Sequence, residues 1–236
     1  MVKHKVNKNT LDKGYASEWV DNHMQDYNEK IDLECDFLTN DIINNWDPGQ
    51  TSGGLGPTNE LIDGHAMAHL HTGAGAGKIT SIRYMMAGNI GNITCVNDGP
   101  IMTMALWLKD LELAGVVAEF GLINSDTATA FLPNQSGSYF RIESNTLYAV
   151  CGNGGAETKV NVTPLLGISE YGTYKIIQTG ATCYFYVDNM VTPATAIPTT
   201  PPPSDLTMKI GIQTPAGADS EIYVDAVGLQ RARYIG

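Results

Sequence analysis

The sequence predicts an all-β, antiparallel two-sheet sandwich behind a short N-terminal arm, and three observations predict it. Turn signals recur about every 8–12 residues along most of the chain. Between them, apolar and polar residues alternate with a period of two. The composition has 25 Gly, many Thr and Asn, and only 17% charged residues, which suits short strands and tight turns better than a helical bundle. At 236 residues the chain fits one sandwich with an appendage, and it is long enough to bury a core without disulfides.

Residues 1–30 differ from the rest and read as an arm. They are polar and carry Lys3, Lys5, Lys8 and Lys13. Ser17 can cap a short helix to about Tyr27, with Glu18 in its first turn. Trp19, Val20, His23, Met24 and Tyr27 then share one side. So short a helix needs a surface to pack on, either its own domain or a neighbouring subunit.

Residues 31–236 read as the sandwich. Ile31, Leu33, Cys35 and Phe37 alternate with Asp32, Glu34 and Asp36, a strand with one wet face. Asn44 to Gly49 ends it, and residues 48–58 read as a Gly/Pro/Ser/Thr loop. Ala66, Ala68 and Leu70 then alternate with His65, Met67, His69 and His71. Further strands are expected at 79–86, 101–109, 116–123, 138–143, 146–151, 157–162, 174–177, 183–187, 206–212 and 222–227. The Pro-rich stretch 192–204 reads as an extended crossing between the sheets. Thr72 to Gly77 has GxGxG spacing but no strand–turn–helix unit around it, so it is no nucleotide signal.

Charge narrows the partners. The formal net charge is −11, and because Lys3, Lys5, Lys8 and Lys13 cluster at the start, the chain beyond them is more acidic still. Such a field repels phosphate backbones and anionic lipid, so neither nucleic acid nor membrane is an expected partner. No run of about 18 apolar residues is present. The opening Met1-Val2-Lys3-His4-Lys5 leads into Asn7-Lys8-Asn9 and lacks a signal peptide's apolar core, so synthesis in a cytoplasm without export by the general route is expected. Cys35, Cys95, Cys151 and Cys183 are too widely spaced for a zinc knuckle. Four free thiols are the expectation in a reducing compartment, with a Cys151–Cys183 bridge between strands as the open alternative.

Two resemblances add to this reading. Gly172 to Ile177, Cys183 to Val191, Leu206 to Ile212 and Glu221 to Leu229 resemble the closing strands of concanavalin A-like jelly rolls, with "F-Y-V-D" at Phe185 to Asp188 and "I-x-V-D-x-V-x-L" at Ile222 to Leu229. Phe37, Trp46 and Gly64-His65-Ala66 fit that superfamily's first strands, and the likeness spans roughly residues 31–233. It implies a jelly-roll sandwich and leaves activity open, because the superfamily includes lectins, hydrolases, lyases and plain scaffolds. The stretch Thr10 to His23, with Ala16-Ser17-Glu18-Trp19, resembles the opening of many tailed-phage structural proteins, although Val20 and Asp21 replace the usual polar pair. That likeness implies a virion component, assembled in the host cytoplasm, with a jelly-roll body: a capsid decoration protein, a head fibre or a tail-associated module.

Chemistry-bearing patterns are sparse. The superfamily's glucanases carry E-x-D-x-x-E on one strand face, where alternate residues point the same way. Here Glu119-Phe120-Gly121 has Gly121 at the Asp position. Glu221 and Asp225 share a face with Tyr223 between them, on a strand where the resemblance implies a structural Asp. Tyr139, Arg141 and Glu143 read as an isolated group that does not match the lyase motifs. His65, His69 and His71 fall on one strand face, but no carboxylate or Cys lies in the same run, so a polar row is expected there rather than a zinc site. Asp98, Asp188 and Asn189 are uncorroborated calcium ligands. No cofactor is expected.

The expectation is therefore a non-enzymatic virion protein that forms homo-oligomers and contacts other virion proteins through Tyr15, Trp19, His23 and Tyr27. The alternative is a carbohydrate-binding module reading surface glycans through Trp46, Trp107 or Tyr171, where these prove exposed. A glycan hydrolase or lyase using Glu119 or Glu221 ranks third.

Overall fold

The computed structural model describes residues 31–35, 46–50, 55–62, 65–73, 77–86, 89–90, 99–109, 111, 115–124, 135–163, 171–179, 182–188, 190–198, 206–215 and 219–230. The expected helix at 17–27 and the contact residues Tyr15, Trp19, His23 and Tyr27 lie outside them. The strands are β1 (Ile31–Cys35), β2 (Trp46–Gln50), β3 (Thr58–Ile62), β4 (His65–His71), β5 (Lys78–Met86), β6 (Asn89–Ile90), β7 (Ile101–Lys109) and β8 (Val117–Ile123). They continue as β9 (Gly137–Glu143), β10 (Thr146–Gly152), β11 (Glu157–Asn161), β12 (Tyr171–Gln178), β13 (Thr182–Val187), β14 (Thr195–Pro198), β15 (Thr207–Thr214) and β16 (Glu221–Gln230).

These strands form two antiparallel sheets. The first runs β14-β13-β12-β7-β16-β4-β3, with β1 also on β16; the second runs β11-β10-β9-β8-β15-β5-β2, with β6 on β5. The chain passes between sheets repeatedly, at β1 to β2, β2 to β3, β4 to β5, β6 to β7, β7 to β8, β11 to β12, β14 to β15 and β15 to β16, as a jelly-roll sandwich requires. Period two explains the layering. On β8, Ala118, Phe120 and Leu122 point into the sandwich, and on β7 Met102, Met104, Leu106 and Leu108 do the same.

Phe140 of β9 ties the layers together. Its ring centroid lies 5.5 Å from Phe120, 5.2 Å from Tyr174 on β12 and 5.3 Å from Phe185 on β13. The last two contacts cross between the sheets and are edge-on, the favoured geometry for ring quadrupoles. Truncating so central a ring costs about 3–5 kcal/mol.

Two expectations need correction. Residues 46–50 belong to β2, an edge strand of the second sheet, rather than to a terminator and loop. Pro48 is exposed there, and an edge is where a strand tolerates a missing N–H donor. The Pro-rich stretch is likewise more than a crossing: Thr195–Pro198 pairs with β13 as the other sheet's edge strand, β14. Trp46 is a core residue at 0% exposure, which removes it as a sugar-stacking candidate.

Candidate functional site

The two outward faces of the sandwich carry different chemistry. On the second sheet, antiparallel register builds a row across seven strands: Asp47, Arg83, Lys209, Gly121, Tyr139, Val150 and Lys159. The neighbouring row contains Ser81, Gly211, Glu119, Arg141 and Tyr148. Sequence alternation puts each of these side chains on the face away from the core. This polar face is nonetheless closed: Glu119 is 1% exposed, Arg141 4% and Lys209 0%.

Arg141 organises the face. Its Nε donates to Glu119 Oε1 at 2.9 Å, and its Nη2 lies 2.8 Å from the same oxygen. Nη2 also donates to the Tyr139 hydroxyl at 2.9 Å. Nη1 donates to both oxygens of Glu157, at 2.9 and 3.0 Å, and reaches Glu143 at 3.3 Å. The Gln135 amide donates to the other oxygen of Glu119 at 3.0 Å. Arg83 pairs with Asp47, and Lys159 with Glu143 at 2.7 Å. Tyr139, Arg141 and Glu143 are thus no isolated group. Their partners come from residues 119, 135 and 157, too far away in sequence for spacing to reveal them.

Burial sets the protonation balance here. Desolvation raises the Glu119 carboxyl above its ordinary range, against the Arg141 and Lys209 charges and the hydrogen bonds from Gln135 and Arg141. Desolvation likewise pushes the Lys209 ammonium down to about 8; Glu119 opposes that shift and the Arg83 charge adds to it.

Gly121 explains why this face lacks a second carboxylate on β8. A Cβ there would lie 2.6 Å from the Tyr139 Cα and 2.7 Å from the Ser138 carbonyl oxygen, and the backbone φ is +152°. No aspartate fits that position without moving β9. Glu119 therefore stands on β8 without the strand partner a glucanase-type pair needs, and both its oxygens are taken by Arg141 and Gln135.

The first sheet's outward face carries a row of rings. Register places Tyr171, Trp107, Tyr223 and His69 side by side on β12, β7, β16 and β4. Trp107 and Tyr223 stack at 5.1 Å, Tyr223 and His69 at 4.3 Å, and His69 and His71 at 5.2 Å. Carboxylates from outside β4 flank the histidines. Glu60 lies 2.6 Å from His69 Nδ1, Asp219 2.7 Å from His71 Nε2 and Glu221 3.6 Å from His69 Nε2. The histidine row therefore has the acidic neighbours that its own segment lacks. Among the described residues no group of three or more His, Cys, Asp or Glu side chains is set to hold a metal ion.

Glu221 and Asp225 do not act as a pair. Glu221 accepts from Tyr223 at 2.6 Å and from Lys109 at 3.0 Å. Desolvation works against the Glu221 charge, but these hydrogen bonds and the Lys109 and His69 charges hold its carboxyl below the ordinary range. Asp225 sits at a β-bulge between Val224 and Ala226 and accepts instead from the Tyr171 hydroxyl at 2.6 Å. Tyr171 is 41% exposed and Trp107 half-buried, so these two of the three expected aromatic candidates do lie on the surface side. Asp188 serves as a turn residue at φ +53°, and Asn189 and Asp98 lie outside the described residues.

No protein-family model matches the sequence, and no curated protein sequence matches it. Solved structures do match. The carbohydrate recognition domain of Emp47p aligns with a TM-score of 0.57 at 14% identity, over 84% of this chain and 93% of that one. An alginate lyase from Corynebacterium sp. aligns with a TM-score of 0.58 at 14% identity, over 80% of this chain and 95% of that one. A carbohydrate esterase from the Shiga toxin-encoding bacteriophage phi24B aligns with a TM-score of 0.56 at 14% identity, over 87% and 100%. Together with the strand order, these likenesses establish the fold as the concanavalin A-like lectin/glucanase jelly roll. Recognition domains and enzymes both occur among them, so the fold alone does not decide between binding and catalysis.

Proposed function

With the concanavalin A-like jelly roll as premise, we infer that this chain is a non-enzymatic, lectin-like module that binds glycans. The observation that carries this reading is the ring row on the first sheet, ending at half-exposed Tyr171 with its hydroxyl held by Asp225. A pyranose presents an apolar C–H face to such a ring and hydroxyls to flanking carboxylates and amines. Asp225, Glu221 and Lys109 supply those groups beside Trp107 and Tyr171. Against catalysis stands the second sheet's face, where Glu119 is buried and engaged and Gly121 bars an acid on the same strand. The test is a glycan array followed by calorimetry on any hit. Binding without turnover, weakened in Tyr171→Ala, supports the module. Hydrolysis or elimination of a polysaccharide, abolished in Glu119→Gln, overturns it.

A second reading concerns where such a module works. The likeness of Thr10 to His23 to tailed-phage openings supports a virion component anchored by its first 30 residues, with the sandwich facing outward. Its partners would be other virion proteins and further copies of itself. Normal particle incorporation of Trp19→Ala would remove the main support for that anchoring.

A further inference from the structure

The sandwich holds two thiols that face each other across the layers. Cys151 lies next to the end of β10 in the second sheet, and Cys183 next to the start of β13 in the first. Both are free, both are buried, and both belong to the main core cluster. Each thiol acts on the other: Cys183, ahead of burial, raises the Cys151 thiol, and Cys151 lowers the Cys183 thiol against burial. Ser138, directly opposite Cys151 in register, brings its Oγ to 3.2 Å from the Cys183 sulfur and donates to the Gln178 side chain. Gln178 in turn is the register partner of Cys183. This is a small polar nest in an otherwise apolar core, and it brings two oxidisable sulfurs together from different sheets.

We propose that Cys151 and Cys183 form an inter-sheet disulfide when the protein meets a peroxide, locking the sandwich at that end. This step is independent of glycan binding. The position favours it twice. Each cysteine sits at a strand end, Cys151 beside the end of β10 and Cys183 beside the start of β13, so local fraying there admits a small oxidant. The contact with Cys151 holds the Cys183 thiol below its ordinary value against burial, while Cys183 and burial raise the Cys151 thiol, so Cys183 is the sulfur that attacks the peroxide. The Cys183 thiol takes one oxygen from hydrogen peroxide, giving a sulfenic acid and water. The Cys151 sulfur then displaces that oxygen as a second water and the S–S bond forms. Two electrons leave the protein, and the peroxide is reduced to water.

The experiment treats the natural chain with hydrogen peroxide, digests it without reductant and maps peptides by mass spectrometry. A linked pair of peptides carrying Cys151 and Cys183, lighter by two hydrogens, is expected. So is a rise in Tm of roughly 10 °C that dithiothreitol reverses. The Cys35→Ser/Cys95→Ser chain should give the same link, and Cys151→Ala should lose it together with the Tm rise. Cys151 and Cys183 recovered as separate alkylated or sulfonic acid peptides would overturn the proposal. A link to Cys35 or Cys95, or a Tm that does not rise, would overturn it equally.

Discussion

Arg141 and Glu119 form a buried ion pair on the outward face of the second sheet, with the guanidinium Nε 2.9 Å from the carboxylate. Both side chains have left water, so their attraction has to offset two desolvation costs. Breaking the pair from one side therefore hurts more than its net contribution suggests. Arg141→Met should destabilise by about 3–5 kcal/mol, because it strands the Glu119 charge. The double variant Glu119→Leu/Arg141→Met should lose clearly less than the sum of the single losses, as read from urea midpoints in a double-mutant cycle.

The same carboxyl gives a pH test. Glu119 is raised in the folded state by desolvation, so the folded protein holds this proton more tightly than the unfolded chain. Its contribution is greatest below the unfolded value of 4.5 and is lost as pH rises through the folded value. Glu119→Gln has no such proton. The stability of Glu119→Gln relative to the natural chain should therefore climb as pH rises from about 4.5, a trend visible in denaturation series. A difference that stays flat with pH would contradict the raised value.

Lys209 behaves in the opposite pH range. Its ammonium titrates near 8 in the fold against 10.5 when exposed, because burial disfavours the charge. The unfolded chain then binds the proton more tightly, so stability is lost as pH falls from 10.5 toward 8 and levels off below. The span is about 3 kcal/mol. Lys209→Met should remove this slope, giving a chain whose advantage over the natural one is largest near neutral pH and shrinks in mild alkali. Equilibrium unfolding between about pH 7 and 10 reads it directly.

Gly121 separates steric from chemical causes. Restoring the acid that a glucanase strand would carry, Gly121→Asp, drives a Cβ to 2.6 Å from the Tyr139 Cα. Loss of about 2–4 kcal/mol is expected, with no polysaccharide cleavage gained. Gly121→Ala should show most of the same loss, because the clash begins at Cβ. A stable, unshifted Gly121→Asp chain would refute the close approach of β9.

Particular residues show how much of this was legible in the sequence. Strands such as β7 and β8 were, because their alternation and flanking turns are local signals: Met102, Met104, Leu106 and Leu108 face the core as the period requires. The edge strand β2 was not, because Pro48 and Gly49 read as breakers and only the pairing with β5 overrides them. The ion network around Arg141 was legible only on its own strand, as Tyr139, Arg141 and Glu143. Its members lie on β8, β9, β11 and the segment before β9, and only register brings them together. The ring row escaped for the same reason: Trp107 and Tyr223 lay in expected strands, but Tyr171 lay just before the one expected at 174–177, which in the fold starts at Tyr171. The signal available in advance was the parity of Trp107, Tyr171 and Tyr223: each is out of phase with its strand's core residues.

Tyr171 and Asp225 give the most direct test of glycan recognition. The hydroxyl donates to Asp225 at 2.6 Å, which fixes the ring beside Trp107. Burial first, and then the Asp225 charge and hydrogen bond, raise the phenol above its ordinary value. It therefore stays protonated through neutral and mildly alkaline solution, and affinity should not fall between about pH 7 and 9 for this reason. Removing the ring and removing its anchor should differ. Tyr171→Ala loses both contact area and orientation and should weaken binding by roughly 10-fold or more. Tyr171→Phe keeps the area and should lose only a few-fold, as Asp225→Asn should, through a looser ring. Calorimetry on a glycan found by array can order the three variants. If Tyr171→Ala binds as the natural chain does, the ring row is not the binding surface and the site lies elsewhere on the sandwich.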